Sequence, residues 1–366
     1  MTTGIELRDL RKKYDGHGGG AGAWAVDGVD MQIGRGQFVT LLGPSGCGKT
    51  TTLRMIAGFE TPSSGEILRD GVDITDQPVT DREMRMVFQD FALFPNMSVA
   101  ENVAFGLKTR RMKGRFDAAQ IRRKVGEYLD LVRLGSHADK RPHQLSGGQK
   151  QRVALARALI TDPEVVLFDE PLGSLDAHLR KVMQVELIRL HRELGKTFIY
   201  VTHDQDEAMA MSDAIAVMNA GKVQQFGTPR EIYDRPTSRY VAGFIGHAHI
   251  VEATVADSGS SGMVVRLANG ETVRLADPAN VAKGASVGLM LRAEDLSLAR
   301  PGEGELHGEV ADSLYRGEYV EYVVELKGGA GTVHVHEPTD LEPFAHGAAV
   351  ALKVNPQKAH VVGGAA

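Results

Sequence analysis

Three short apolar runs in the first 240 residues each end in glycine or polar residues. They are residues 37–42, which lead into a glycine-rich loop, residues 165–168, which lead into Asp169 and Glu170, and residues 197–201, which lead into Thr202 and His203. Apolar runs of this kind predict buried strands. Because ligands bind outside the carboxyl ends of strands in an open parallel sheet, we expect the three polar groups to meet in one crevice. The pattern predicts an α/β fold.

Capping residues followed by amphipathic segments predict helices between and after these strands. The expected caps are Ser98, for a helix that runs to about residue 111, then Asp117, Ser146 and Asp176. The helix after Asp176 is expected to be long, because its large apolar side chains repeat at helical spacing. Residues of about 90–162 are therefore predicted to form a helical subdomain.

Beyond residue 245 the pattern changes to short β-type runs that are separated by glycine, aspartate and proline. Residues 264–267, 288–291 and 319–324 are examples. Many short strands at close spacing predict a small β barrel or sandwich. Acidic residues outnumber basic ones in this part of the chain, whereas the preceding part is close to neutral. We therefore expect one domain over residues 1–240 and a second over residues 241–366.

Composition excludes several classes of protein. The net charge of −5 argues against a surface that coats nucleic acid. The single cysteine, Cys47, permits no internal disulfide and fits a reducing cytosol. The N-terminus has no basic start followed by an apolar run, so no signal peptide is expected. No apolar stretch reaches the roughly 18–20 residues that span a bilayer, so any membrane role is predicted to be peripheral.

The glycine-rich loop matches the phosphate-binding pattern G-x-x-x-x-G-K-[ST] between a predicted strand and a predicted helix. Its expected nucleotide contacts are Gly43, Pro44, Ser45, Gly46, Cys47, Gly48, Lys49, Thr50 and Thr51. Glycines let backbone N–H groups approach phosphate, Lys49 neutralises β- and γ-oxygens, and Thr50 is expected to bind Mg²⁺. Cys47 is interpreted as a small side chain that fills a tight turn, where bulky thiol modification would block nucleotide. Taken alone, the loop predicts only an NTPase.

Asp169 and Glu170 follow the second apolar run. Asp169 is placed to hold Mg²⁺ as a Walker-B aspartate does, and Glu170 is the candidate general base that polarises the attacking water. The alternative is an exposed acidic pair before a turn at Pro171. With the phosphate-binding loop in the same chain, the catalytic interpretation is favoured.

The sequence Leu-Ser-Gly-Gly-Gln at residues 145–149, followed by residues 150–159, resembles the signature of ABC transporter ATPases. The resemblance covers residues 5–246, with a looser match over the C-terminal third. It implies a P-loop NTPase of the ABC type with a helical subdomain, followed by an all-β, oligonucleotide-binding-like (TOBE) barrel. The loose match includes residues 291–295, where Ala293 replaces a common proline. That fold name implies no nucleic-acid binding.

The resemblance also implies further site residues. Gln89 matches the Q-loop, which contacts magnesium and water, and Asp176 matches the D-loop, which crosses a dimer interface. His203 matches the switch histidine at the γ-phosphate, and Tyr14 matches the aromatic residue that stacks on adenine. For His203 the alternative is a core histidine, and for Tyr14 an ordinary strand aromatic next to a glycine-rich surface loop at residues 15–23.

An assembly follows from the same resemblance. Two chains are expected to meet head to tail, so that ATP and Mg²⁺ on one chain are covered by the signature of the other. The signature contacts are Ser146, Gly147, Gly148 and Gln149. The implied partners are a second copy, two transmembrane permease subunits and, indirectly, an extracytoplasmic solute-binding protein. The implied location is the cytoplasmic face of the cell membrane.

The transported solute is recognised by other subunits, so it is inferred only from resemblance. Residues 140–144, 202–209 and 227–233 are most similar to the spermidine/putrescine branch of the importer ATPases. Importers of iron(III), thiamine, sulfate, phosphonate or sugar remain alternatives.

Two other classes compete with an importer. One is a soluble ABC ATPase of translation or DNA repair, which usually has two cassettes or a coiled-coil insertion. The other is a regulator that only senses ATP, which conflicts with an intact Glu170 and His203.

In the C-terminal third, His334 and His336 are two residues apart and are expected on one face of a strand. They are a candidate effector or metal site, but exposed histidines on a strand are the more common interpretation.

Overall fold

The computed structural model describes residues 3–14, 23–109, 112, 114–259, 262–276 and 281–363. The chain divides into two compact units, Met1–Pro229 and Arg230–Ala366. Residue 240, the domain limit expected from composition, falls within the helix Arg239–Phe244 of the second unit. The glycine-rich loop expected to form a surface hairpin, residues 15–23, lies almost entirely outside the described residues.

The first unit contains both strands and helices. Its strands are β1 (Thr3–Lys13), β2 (Trp24–Gly34), β3 (Phe38–Leu42), β4 (Ser64–Arg69), β5 (Val72–Asp73), β6 (Met84–Val87), β7 (Val165–Asp169), β8 (Thr197–Thr202), β9 (Ala214–Asn219) and β10 (Lys222–Gly227). Its helices are α1 (Lys49–Ala57), α2 (Val99–Ala104), α3 (Ala118–Leu131), α4 (Gly147–Leu159), α5 (Ala177–Leu194) and α6 (Gln205–Met211), with 3₁₀ turns at Phe105–Lys108, Gly135–His137 and Pro142–Gln144.

The three predicted strands are neighbours in one sheet of the order β10-β9-β3-β8-β7-β6. Strands β3, β8 and β7 are parallel and fully buried. Their register places Leu42 beside Thr202 and Asp169 beside Val201. The carboxyl ends of these strands therefore lie side by side at one edge, as the apolar runs predicted. A separate antiparallel sheet has the order β2-β1-β4-β5.

The capping patterns predicted the helix starts correctly. Ser98, Asp117 and Ser146 each accept a hydrogen bond from the third helical residue and form capping boxes. Asp176 also caps its helix, α5, because its side chain accepts a hydrogen bond from the amide of the third helical residue, Leu179. Because these caps are local interactions between residues three apart, the sequence alone is sufficient to indicate them.

The predicted end of the helix after Ser98 is wrong. The helix ends at Ala104, tightens into a 3₁₀ turn and becomes extended at Thr109, before the expected end near residue 111. Gly106 packs against Thr161, whose Cγ2 would lie 2.7 Å from a Cβ at residue 106. The rings of Phe94 and Phe105 also pack together, with their centroids 4.4 Å apart. These two tertiary contacts hold residues 105–108 in the 3₁₀ turn.

The second unit consists of two antiparallel sheets and two short helices. The helices are α7 (Pro229–Asp234) and α8 (Arg239–Phe244), and 3₁₀ turns occur at Ala293–Asp295 and Lys327–Gly329. The strands are β11 (His249–Gly259), β12 (Gly262–Leu267), β13 (Thr272–Leu275), β14 (Ser286–Leu291), β15 (Leu296–Ala299), β16 (Leu306–Tyr315), β17 (Tyr319–Leu326), β18 (Thr332–Pro338), β19 (Ala349–Val354) and β20 (His360–Val362).

These strands form a barrel-like unit, as the short β-type runs predicted. The sheet orders are β13-β12-β11-β14-β20 and β15-β19-β16-β17-β18. Alternate residues of both sheets point inward and share one apolar core. Within the described part of the chain, no helix is both long enough and apolar enough to cross a bilayer.

Candidate functional site

The phosphate-binding loop connects β3 to α1 and packs closely against two other strands. A Cβ on Gly43 would lie 2.3 Å from the carbonyl oxygen of Met218, and one on Gly48 would lie 2.4 Å from that of Ala25. Gly48 also has φ of +104°, in the left-handed region that favours glycine. Glycine is therefore required at both positions for the loop to take this form. Pro44, Ser45 and Gly46 form its exposed outer part.

Lys49 is only 5% exposed, and its ammonium group donates to backbone carbonyls of the loop itself. Its Nζ lies 2.7 Å from the oxygen of Gly43 and 2.9 Å from that of Pro44. The first turn of α1 carries no acidic residue. A buried cation and the positive end of a helix dipole thus meet at one loop, which is the arrangement that binds phosphate groups.

Thr50 and Asp169 meet at the junction of α1 and β7. The Thr50 hydroxyl donates to Asp169 Oδ1 at 2.9 Å, and Arg54 Nη2 lies 3.9 Å from Oδ2. Burial raises the pKa of Asp169, and the hydrogen bond from Thr50 opposes that rise. A hydroxyl and a carboxylate oxygen at this separation fit the hard oxygen donors that Mg²⁺ prefers.

Glu170 and His203 face each other across the ends of β7 and β8. His203 Nδ1 lies 3.3 Å from Glu170 Oε2. Glu170 has φ of +45°, which is uncommon for a residue with a side chain and marks local backbone strain. Gln89 follows β6, and its Nε2 and the Glu170 carboxylate both lie within 4 Å of a Cβ position on Gly173. The predicted crevice therefore brings Gln89, Glu170 and His203 together.

The signature residues form the start of α4. Ser146 Oγ accepts from the Gln149 amide at 3.4 Å, and Gln149 Oε1 accepts from the Ser146 amide at 3.0 Å. A Cβ on Gly147 would lie 3.1 Å from Leu175, the residue before Asp176, and a Cβ on Gly148 would lie 2.9 Å from Leu179 in the first turn of α5. Among the described residues, no hydrogen bond or ion pair joins residues 146–149 to the phosphate-binding loop. The single chain thus forms the two glycine-lined helix starts as separate features.

Asp176 and Tyr14 occupy more exposed positions. The Asp176 carboxylate caps α5 by accepting from the Leu179 amide at 2.9 Å. Tyr14 directly follows β1, is 45% exposed, and has Lys12 Nζ 5.2 Å from its ring centroid. An exposed ring of this kind is free to stack on a planar ligand.

Cys47 is buried and contacts the loop interior, as expected for a side chain that fills a tight turn. Its Sγ lies 3.9 Å from Lys49 Nζ. Burial raises the pKa of the Cys47 thiol, and the charge of Lys49 opposes that rise.

Sequence reasoning missed the polar residues directly behind His203. Glu207 is buried and accepts hydrogen bonds from Tyr200 and Thr202, and Arg180 lies close to it. Tyr200 and Thr202, two hydroxyl-bearing residues of the buried strand β8, were the available signal, because buried hydroxyl groups require partners.

Comparison with known proteins shows the family to which the chain belongs. Models of the ABC transporter family and of the TOBE domain match residues 26–173 and 289–362. A spermidine/putrescine import ATP-binding protein, PotA, of Acidothermus cellulolyticus is 50% identical over 88% of this chain and 84% of its own. The chain belongs to the ABC transporter family. The PotA of Thermobifida fusca is 45% identical over 98% of this chain and 94% of its own.

Solved structures agree with this ABC assignment. A dimeric post-hydrolysis state of the ATP-binding cassette MJ0796, bound to ADP and Pi, superposes with a TM-score of 0.55 at 32% identity. It covers 62% of this chain and 99% of its own. This chain is an ABC-type ATPase that carries a TOBE domain in its C-terminal part.

Proposed function

We propose that this ABC ATPase is the ATP-hydrolysing subunit of an importer for polyamines of the spermidine and putrescine type. Support for ATP hydrolysis comes from one observation above all. The Thr50–Asp169 pair and the Glu170–His203 pair lie at the ends of adjacent parallel strands. Support for the solute comes from the PotA names of relatives that are 45–50% identical along most of the chain.

In this proposal the phosphates of ATP lie on the N-terminus of α1. Backbone N–H groups of residues 45–51 donate to phosphate oxygens, and Lys49 balances the charge of the β- and γ-phosphates. Thr50, Asp169 and Gln89 would hold Mg²⁺, which when bound supplies positive charge to the phosphate oxygens. The exposed ring of Tyr14 stacks on the adenine base.

Hydrolysis in the proposed site uses Glu170 as the general base. Its carboxylate accepts a proton from water as the water oxygen bonds to the γ-phosphorus, and the bond from that phosphorus to the bridging oxygen breaks. ADP and phosphate are the products. His203 lies 3.3 Å from the Glu170 carboxylate, and we place its other ring nitrogen toward the γ-phosphate.

We further propose that a second copy completes each site. The start of α4 presents Ser146, Gly147, Gly148 and Gln149 with no acidic residue in its first turn, so it suits an anion. Head-to-tail pairing would bring this surface, and Asp176, against ATP on the partner. The dimeric form named for MJ0796 supports such pairing.

The proposed complex also contains two transmembrane permease subunits and an extracytoplasmic solute-binding protein. The ATPase would act peripherally at the cytoplasmic face of the membrane. Its nucleotide domain corresponds to the expected residues 1–240, and its TOBE domain, residues 241–366, would regulate the complex. No nucleic-acid partner is proposed.

Transport by the reconstituted complex tests this proposal. The chain is co-purified with its permease subunits and binding protein, placed in lipid vesicles with internal Mg-ATP, and supplied with labelled spermidine, putrescine, thiamine, sulfate or iron(III). We expect uptake of the polyamines, and none with the E170Q variant. ATP-dependent uptake of another solute without polyamine uptake would contradict the polyamine assignment.

A further inference from the structure

A buried carboxylate lies directly behind the loop that carries His203. Glu207, in the first turn of α6, is 3% exposed. Its Oε2 accepts hydrogen bonds from the Tyr200 hydroxyl at 2.7 Å and the Thr202 hydroxyl at 2.8 Å. Because burying a carboxylate is costly, this network must offset a substantial desolvation penalty. Burial accordingly raises the pKa of Glu207.

The same network fixes the backbone on both sides of His203. The Thr202 hydroxyl also accepts from the Asp204 amide at 3.0 Å. Asp204 Oδ1 in turn accepts from the Glu207 amide at 3.1 Å. His203 itself projects toward solvent and toward Glu170, with its side chain 59% exposed. Its direction is therefore set by its neighbours and not by packing of its own ring.

Arg180 of α5 connects this network to a second loop. Its Nη1 donates to Asp204 Oδ2 at 3.3 Å, and its Nη2 donates to the backbone oxygen of Leu175 at 3.2 Å. Its Nε lies 3.8 Å from Glu207 Oε1. Leu175 immediately precedes Asp176. One guanidinium group thus spans the residue after His203 and the residue before Asp176.

We propose that Arg180 and Glu207 are positioning residues that hold the His203 loop and the 173–176 loop in one fixed relation. This inference rests on the proposed function, in which His203 acts on the chain's own ATP and Asp176 lies toward the partner. Through Arg180, the position of His203 would depend on the position of the 173–176 loop, which in the proposed dimer faces the partner. Among the residues that the structure describes, no hydrogen bond or ion pair joins Arg180 or Glu207 to Lys49 or Thr50, so the expected effect is on turnover and not on ATP binding.

The same helix offers a matched control. Glu186 of α5 is 6% exposed, and Arg189 Nη2 donates to its Oε1 at 2.8 Å. Arg189 Nη2 also donates to the backbone oxygen of Leu131 at the end of α3. This pair has the chemistry of Arg180 and Glu207, but it connects α5 to a helix end and not to either loop.

The experiment compares R180K and E207Q with R189K and E186Q in the full-length chain. Arg180 is about one-third exposed, so R180K is expected to fold even if E207Q does not. We expect R180K and E207Q to lower kcat for ATP about tenfold or more, with KM changed less than about twofold, since small misplacements near reacting groups affect turnover strongly. The control variants should change Tm by a similar amount and leave kcat within about twofold.

A double-mutant cycle with H203A separates positioning from general destabilisation. If Arg180 acts through His203, R180K lowers kcat about tenfold in the wild-type background and adds little in the H203A background. Equal losses in R180K and R189K, additive losses in the cycle, or a matching rise in KM would overturn the inference. In each of those cases the wild-type chain still hydrolyses ATP and the proposed function stands. A wild-type chain without ATP turnover would refute both.

Discussion

The Thr50 hydroxyl donates a 2.9 Å hydrogen bond to Asp169, which joins the start of α1 to the end of β7. Asp169 is buried, and burial is the largest influence on its pKa, which is raised. The fold therefore holds a carboxylate where ionisation is unfavourable unless a cation is close. A residue that stabilised the fold alone would not need this charge, so its position indicates a ligand-binding role.

We predict that D169N stabilises the nucleotide-free protein when Mg²⁺ is removed by EDTA. Because the folded-state pKa of Asp169 lies above its unfolded value, wild-type stability falls as pH rises through that interval and remains reduced above it. The Tm of D169N should exceed that of the wild type by a few degrees at pH 8, and the gain should shrink toward pH 4. Thermal unfolding measures this, with the exposed cap variant D176N as the control. A lower Tm for D169N at pH 8 would contradict the prediction.

We predict that E170Q binds ATP but turns it over at least about 100-fold more slowly, because it lacks the proposed general base. It should accumulate as a dimer in Mg-ATP, since the γ-phosphate that joins the two copies in the proposed dimer persists. Steady-state ATP turnover and sedimentation velocity with and without ATP provide the measurements. Turnover close to that of the wild type would exclude Glu170 as the base.

We predict that Y14A raises KM for ATP more than it lowers kcat. Loss of base stacking costs about 1–3 kcal/mol, which corresponds to roughly 5–150-fold in affinity. The matched control is W24A, which removes a neighbouring aromatic side chain that is 44% exposed. W24A should leave KM unchanged. A large fall in kcat of Y14A at saturating ATP would be inconsistent with a stacking role.

We predict slow alkylation of Cys47 that accelerates with pH. Because burial raises the pKa of this thiol, its reactive thiolate is scarce at pH 7, and the rate of reaction with N-ethylmaleimide should still be rising at pH 9. ATP should protect the thiol, and alkylated protein should lose ATP binding. C47S should retain activity and resist the reagent, because the chain has no other cysteine. A rate that is constant from pH 7 to 9 would contradict this prediction.

We predict that the second unit loses stability in acid through His249. Its Nε2 accepts from the His334 amide at 3.2 Å, an interaction that requires the neutral ring. Burial first, and His334 second, lower the pKa of His249 to about 4. The stability that neutral His249 contributes is complete above its unfolded value of 6.5 and is lost as pH falls from there to about 4.

Hydrogen exchange of β11 and β18 is the suitable measurement for this effect, because the single tryptophan, Trp24, lies in the first unit. Protection of these strands should fall between pH 6.5 and 4 in the wild type after correction for intrinsic exchange. The variant H249Q should flatten that dependence, and H336Q should retain it, since the His336 ring instead packs at a tilt against the Tyr319 ring, with the ring centroids 4.0 Å apart. Identical pH dependence in H249Q and the wild type would refute this role.

The parts of the fold that could be predicted from the sequence depend on local patterns. Strands β3, β7 and β8 are mostly apolar along both faces because both faces of the sheet are covered. Ser98 and Ser146 cap helices through residues three positions on. The end of the helix after Ser98 could not be predicted, because it depends on Gly106 packing against distant Thr161.

The site follows the same division. The polar residues that follow strand ends were predicted to converge, since parallel strands share an edge. The link from Arg180 to Glu207 was not predictable, because it requires the packing of α5 against α6 and an alignment of guanidinium and carboxylate that no sequence spacing encodes. Similarly, the antiparallel register of β1 with β2 and β4 depends on tertiary contacts.

The carbonyl oxygens of Met218 and Ala25 lie so close to Gly43 and Gly48 that few other conformations are open to the phosphate-binding loop. An incoming triphosphate therefore loses little affinity to the ordering of residues 43–48. More of the favourable free energy of phosphate binding can then contribute to the association of two subunits in the proposed dimer. The rigidity of the loop at Gly43 and Gly48 would thus influence how strongly ATP promotes the association of two copies of the chain.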